Sequence, residues 1–245
     1  MTASPRKDPA PRELGQIRER GSGSTRLEAF SDGVFAISAT LLVVSLEVPR
    51  TYAELVDNLW GFVSFGFSFA MLVLIWVCHN GFFRRYGLQD GWTVLLNSVL
   101  LFVVLFYVYP LKFISTGVAR SLFGAGASAN EPVIGGPDDL ASLFVIYGLG
   151  FAAVFGCFAL LYLRALRCAD RLGLDRYERF DTRFWIVHHL VYVALAFVSV
   201  AVALAGWGIT VGGPGWVYGL IGPAQGILSV VMSRKRKALA GGPAR

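Results

Sequence analysis

The chain is 245 residues long, 55% hydrophobic and only 16% charged, against about 25% charged residues in ordinary soluble domains. Together with a mean hydropathy of +0.59, this points away from a water-soluble fold and excludes a collagen, a disulfide scaffold and a disordered chain for the bulk of the sequence. A spanning helix needs about 20 apolar residues, so about six or at most seven spans fit the length.

Residues 1–25 are rich in Pro, Gly, Ser and charge and are expected to form a disordered cytoplasmic tail rather than a cleavable leader. Apolar stretches of spanning length then follow at about 30–48, 59–78, 92–114, 140–163, 184–207 and 216–232. The predicted fold is an all-α integral membrane protein, with a six-span domain over 26–233 and a basic cytoplasmic tail over 234–245. Two connections are long: a Gly/Ala/Pro-rich loop from 115 to 137 and an Arg-rich stretch from 164 to 183. Cys78, Cys157 and Cys168 lie in or beside apolar runs. Odd in number and without metal-ligand spacing, they read as buried or free thiols.

The net charge of +6 gains meaning from its distribution. With the N-terminus inside, 19 of the 22 basic residues fall on the cytoplasmic side, and only Arg50, Lys112 and Arg120 fall outside. That bias predicts cytoplasmic termini and an even number of spans. Trp60, Trp92, Trp185, Trp207 and Trp216 stand at predicted span ends, where interfacial aromatics belong.

The first span reads RLEAFSDGVFAISATLLVVSLEV over 26–48. Thr25 followed by Glu28 forms a capping-box pattern at its start. Asp32 is an ionisable group at or just inside the membrane boundary, and two readings stand side by side: a functional carboxylate, or a tie between helix ends. Arg26 is six residues away, roughly 240° round the helix, so the two cannot pair on one helix. Bridges must come from neighbouring helices, and Trp76 and His79, on one face of the second span, are candidates, as is Asn97 in the third. For His79 the plainer reading is an interfacial histidine facing headgroups or water. Ile37, Thr40, Leu41 and Val44 form a stripe, and periodicity alone does not separate a packing stripe from a pore lining. On the fourth span, Gly148, Ala152 and Gly156 recur every four residues, a spacing suited to close helix packing.

The run RLEAFSDGVFAISATLL resembles the signature of the transmembrane-protein-175 potassium channel family, in which an Arg precedes Phe-Ser-Asp on the first helix. Arg26, Phe30, Ser31 and Asp32 match that motif at its spacing. Weaker echoes follow in WVCHNGFF and in LLNSVLLFVVLFYVYPLKF, so the resemblance covers roughly the first half of the chain. It implies a homotetramer of prokaryotic plasma membrane type, with the first helix of each subunit lining a central pore. It also implies an apolar constriction at Ile37, with Leu41 and Val44 as successive layers and the Thr40 hydroxyl beside it. Val44 stands where Leu is common, and Asn80 where a second His is frequent. Trp76, His79 and Asn97 would tie the helices together, and potassium ions would permeate with weak preference over sodium; no cofactor is expected. A proton-coupled secondary transporter using Asp32 and His79 is the alternative.

Glu47, Glu54, Asp57, Glu131, Asp138 and Asp139 on the outer side would modestly concentrate cations, although ordinary solvated loops explain them as well. Arg164, Arg167 and Arg171 share a helical face but lie beyond the apolar run, so they are not voltage-sensing charges. They and Arg234, Lys235, Arg236 and Lys237 read as topology signals or contacts to anionic lipids, not as a nucleic-acid surface. No phosphate-binding Gly-rich loop with Lys, GxSxG turn or HExxH pattern is present, so enzyme chemistry is not expected. His188 and His189 point about 100° apart and make a poor shared metal site.

Overall fold

A computed structural model of the chain describes residues 19–21, 25–44, 50–52, 59–123 and 135–240. The long helices are α1 (Arg26–Val44), α2 (Leu59–Tyr86), α3 (Gly91–Phe123), α4 (Pro137–Arg167) and α5 (Arg176–Leu204), followed by α6 (Ile221–Ala240). Between α5 and α6 the chain makes single turns at Ile209–Val211, Gly213–Trp216 and Val217–Leu220. Six helical stretches are long and apolar enough to cross a membrane, the last formed by Gly213–Arg236.

The helices outrun the apolar stretches that announce them. α2 continues past Cys78 to Tyr86, α5 begins eight residues before Phe184, and α3 runs through the expected loop start at Ser115 to Phe123. Apolar length measures the bilayer crossing, whereas a helix ends where its backbone finds a cap. At the C-terminal end, α6 carries the basic residues Arg234, Lys235, Arg236 and Lys237 as helix to Ala240.

Caps explain the boundaries. Thr25 and Glu28 form the expected box: the Glu28 amide donates to Thr25 Oγ1 (3.2 Å) and the Thr25 amide to Glu28 Oε2 (2.7 Å). α5 has a second box, Asp175 with Glu178, which the sequence carries as DRYE and which the sequence reading missed. α4 opens with Pro137 at its first turn, and Asp139 accepts from the Gly135 amide at 3.1 Å. Asp139 is thus part of a helix start; Glu47, Glu54, Asp57 and Glu131 lie outside the described residues.

α4 and α5 are the most extensively packed pair, and α4 also rests on α3. Their seam is aromatic: Phe151, Phe155, Phe158, Tyr162, His189 and Tyr192 stack or meet edge to face at centroid distances from 4.5 to 6.4 Å. Gly148 allows the close crossing, because a Cβ there would stand 2.5 Å from Val200 Cγ2. Ala152 is buried in the same seam, but Gly156 has open space where a Cβ would be and does not belong to a tight contact. Trp185 also departs from expectation. It stacks on Tyr162 at 5.9 Å and is partly buried, whereas Trp92, Trp207 and Trp216 are exposed at helix ends. Pro110, expected near a span end, lies inside α3. The three cysteines are free thiols.

The basic segments meet acidic partners at one end of the bundle. Asp90 caps α3 through the Trp92 and Thr93 amides and also takes Arg164 (3.2 Å) and Arg171 (3.1 Å). Asp181 holds Arg85 (3.4 Å) and Arg236 (3.6 Å). Arg20 grips Glu178 with two bonds of 2.9 and 2.7 Å and donates to the Leu172 carbonyl. The Arg20 and Gly21 amides both reach the Arg84 carbonyl at 3.1 Å. Gly87 adopts a left-handed φ of +57°, and a Cβ on it would lie 3.1 Å from the Arg20 carbonyl oxygen, so glycine serves both turn and contact.

Partial burial opposes ionisation of Asp90, but the Thr93 amide and the Arg164 and Arg171 guanidiniums outweigh it and hold its carboxyl below the usual range. A depressed native pKa contributes stability that is present above the unfolded value and lost as pH falls through the folded one. Acid unfolding of the wild type is therefore expected to steepen below about pH 4. Asp90→Asn should flatten that limb, and a thermal-shift series across pH would detect it; identical acid limbs would refute the assignment.

Candidate functional site at the first helix

α1 has two faces. Ser31, Val34, Phe35, Ser38 and Leu42 are buried against α2 and α3. Opposite them, Phe30 (61% exposed), Ile37 (56%) and Val44 (73%) lie open along with Gly33, Ala36 and Thr40. Of the four stripe residues, Ile37, Thr40 and Val44 share this open face. Leu41 sits at its edge, packed partly against the core.

The polar groups of α1 are satisfied locally or by neighbours. Ser31 and Ser38 donate to the Leu27 and Val34 carbonyls at 2.8 and 2.9 Å. Thr40 Oγ1 donates to the Ala36 carbonyl at 2.9 Å. Its proton is therefore committed, and the oxygen lone pairs remain on the open face.

Behind the open face runs a directed chain of hydrogen bonds. Asn97 Nδ2 donates to Ser31 Oγ (3.0 Å), and His79 Nε2 meets Asn97 Oδ1 (2.8 Å). A carbonyl oxygen can only accept, so His79 carries its proton on Nε2 and donates it. The order is His79 to Asn97 to Ser31 to the Leu27 carbonyl, joining α2, α3 and α1. Ser31 and Asn97 are fully buried and His79 nearly so, which replaces the reading of His79 as a water-facing interfacial group. Phe35 and Phe83 pack on its ring at 5.5 and 4.6 Å. The sequence reading missed these two rings; Phe35 could have been inferred from its place one turn after Ser31 on the same face.

Asp32 is held separately. It is exposed and accepts from Trp76 Nε1 at 2.8 Å, a second tie between α1 and α2. Arg26 is exposed and stands outside both chains among the described residues. The structure thus brings Ser31, Asn97 and His79 together, pairs Asp32 with Trp76, and leaves Arg26 and Phe30 on the surface of the single chain. His189 Nδ1 meets the Trp185 carbonyl at 2.6 Å while its Nε2 is buried without a hydrogen-bond partner among the described residues, and the His188 backbone carbonyl accepts from Gln225. Among the described residues no cluster of His, Cys, Asp and Glu could hold a metal ion.

These features define an all-α integral membrane protein with six candidate spans, whose first helix is anchored by polar ties on one side and open on the other. A family model described as the endosomal/lysosomal potassium channel TMEM175 matches residues 26–107, the stretch that contains α1, α2 and both ties. A potassium channel of Marivirga tractuosa is 37% identical over 228 residues, covering 90% of this chain and 92% of the relative. A potassium channel of Chamaesiphon minutus is 29% identical over 197 residues, covering 73% of this chain and 87% of its own. Among solved structures, a crystal structure of the potassium channel MtTMEM175, a threonine-to-alanine variant bound to a nanobody fusion, matches with a TM-score of 0.76 at 36% identity. It covers 90% of this chain and 98% of that one. The chain belongs to the TMEM175 potassium channel family.

Proposed function

We propose that this protein is a potassium-permeable cation channel of the plasma membrane, with both termini cytoplasmic, in which four copies place the open face of α1 around a central pore. The observation that carries this reading is the open face itself: an apolar stripe of Phe30, Ile37 and Val44, uncovered within one chain, on a helix whose other side is fixed by buried hydrogen bonds. Its relatives are named as potassium channels. A ring of Ile37 side chains would form a narrow apolar constriction that closes by losing water. Leu41, at the edge of the face, and Val44 would form further layers. The Thr40 oxygen, its proton engaged within the helix, would offer a ligand beside the constriction. Without a cage of backbone carbonyls, selection would rest on bore and partial dehydration, giving only a weak preference for potassium over sodium.

A proton relay through Asp32 and His79 is less well supported. Asp32 bonds Trp76 while His79 bonds Asn97, so the two groups belong to separate hydrogen-bonded chains. Purified protein in potassium-loaded liposomes is expected to pass potassium after a protonophore has removed any proton gradient; flux that vanishes with the gradient would overturn the channel reading. Asp32→Asn, which keeps an acceptor for Trp76, is expected to leave that flux within about twofold, as a tie and not a relay would. Loss of flux in a well-folded Asp32→Asn protein would return Asp32 to the conduction path.

A further inference from the structure

Three of the seven basic residues first considered for lipid contact have carboxylate partners inside the chain. Arg164 and Arg171 are held by Asp90, and Arg236 by Asp181. A further cluster of basic residues lies on the first two turns of α5. Arg176, Arg179, Phe180 and Arg183 line a cavity of about 410 Å³. Arg179 reaches Asp170 (2.6 Å) and the Leu174 carbonyl (3.0 Å). Arg176 and Arg183 are exposed and are not paired with a carboxylate among the described residues.

Helical geometry extends this cavity into a longer feature. Positions 176, 180, 183, 187, 190 and 194 fall within about 40° of one line along α5. The line is basic at its start. Beyond Arg183 it becomes apolar, with Val187 (38% exposed) and Leu190 (49%) open and Phe197 and Val198 beside it further on. The opposite side of the same helix buries Glu178, Thr182, His189, Ala196, Ser199 and Val200. One face therefore presents guanidiniums where the helix leaves the bilayer, an aromatic ring between them, and an apolar track about 17 Å long from Val187 to Val198 inside it.

We propose that this face of α5 binds an anionic phospholipid, with its phosphate between Arg176 and Arg183 at the level of Phe180, its glycerol region beyond Arg183 and one acyl chain along Val187 and Leu190. Charge complementarity selects the headgroup, and the continuation of the same line into apolar residues selects a lipid over a free phosphate. The assignment requires that α5 span a membrane but not that the protein conduct potassium, so it stands or falls apart from the channel reading.

Native mass spectrometry of the full-length protein in detergent, titrated with dioleoyl phosphatidylglycerol or dioleoyl phosphatidylcholine, tests it. The wild type is expected to retain phosphatidylglycerol in preference to phosphatidylcholine. The double variant R176Q/R183Q should bind phosphatidylglycerol about 10- to 30-fold more weakly, the effect of two arginines at a lipid surface, with phosphatidylcholine binding unchanged. R234Q/K235Q, which removes the same charge from exposed positions on α6, should keep wild-type binding. Equal retention of both lipids by the wild type would overturn the proposal without recourse to any variant. So would unchanged binding in R176Q/R183Q, an equal loss in R234Q/K235Q, or complete displacement of the lipid by millimolar inorganic phosphate.

Discussion

Ile37→Asn is expected to raise basal potassium flux by about tenfold, corresponding to roughly 1.4 kcal/mol off the barrier of a dewetted constriction. The side chain is 56% exposed, on a face that the described residues leave open, so the substitution removes little packing from the fold. In the proposed tetramer, the pore ring of four such residues would change from an apolar one that expels water to one that holds it. Flux from potassium-loaded liposomes measures this directly, and an unchanged rate would remove Ile37 from the constriction. Leu42 supplies the contrast. It lies five residues on, on the opposite face, and is only 2% exposed, so Leu42→Asn should reduce the yield of folded protein instead.

Asn97→Leu is expected to destabilise the protein by about 1–3 kcal/mol, the cost of leaving buried polar groups without partners. The leucine cannot accept from His79 Nε2 or donate to Ser31 Oγ, so a proton-bearing imidazole nitrogen would be left unpaired among Phe35 and Phe83. Hydrogen bonds between membrane helices often contribute less, about 0.6 kcal/mol on average, because separated helices find other partners. Asn97 exceeds that average in consequence because it bridges two helices at once. A lower melting midpoint in a thermal-shift assay would bear this out. An unchanged midpoint would mean that the His79 to Ser31 chain does not fasten α1.

Much of this arrangement was legible before any coordinates. Apolar length gives six spans, and the Thr25 and Glu28 spacing gives the start of α1. The scarcity of polar residues within spans singles out Ser31, Asp32, His79 and Asn97. Their partition into two separate ties was not legible, because a 3.6-residue period states which residues share a face, not which neighbour they meet. The same limit applies to Gly156, which fits a small-residue spacing yet faces open space, and to Trp185, which stands at a span end yet stacks on Tyr162. The pairing of Arg20 with Glu178 crosses 158 residues of sequence, a separation over which local pattern carries no information. Counting charges by side gave an orientation, but only the positions of carboxylates such as Asp90, Asp170, Glu178 and Asp181 reveal which arginines are neutralised.

The grip of Arg20 on Glu178 also decides where a pull on the N-terminal segment is felt. The two side chains are 13% and 7% exposed, and the pair sits five residues ahead of Thr25, with the adjoining amides bonded to the α2 end at Arg84. Tension applied upstream of residue 19 is therefore taken up by α5 and the end of α2 before it reaches α1. A domain fused in front of residue 19 would therefore load these contacts with α5 and the end of α2 before the helix that carries Ile37.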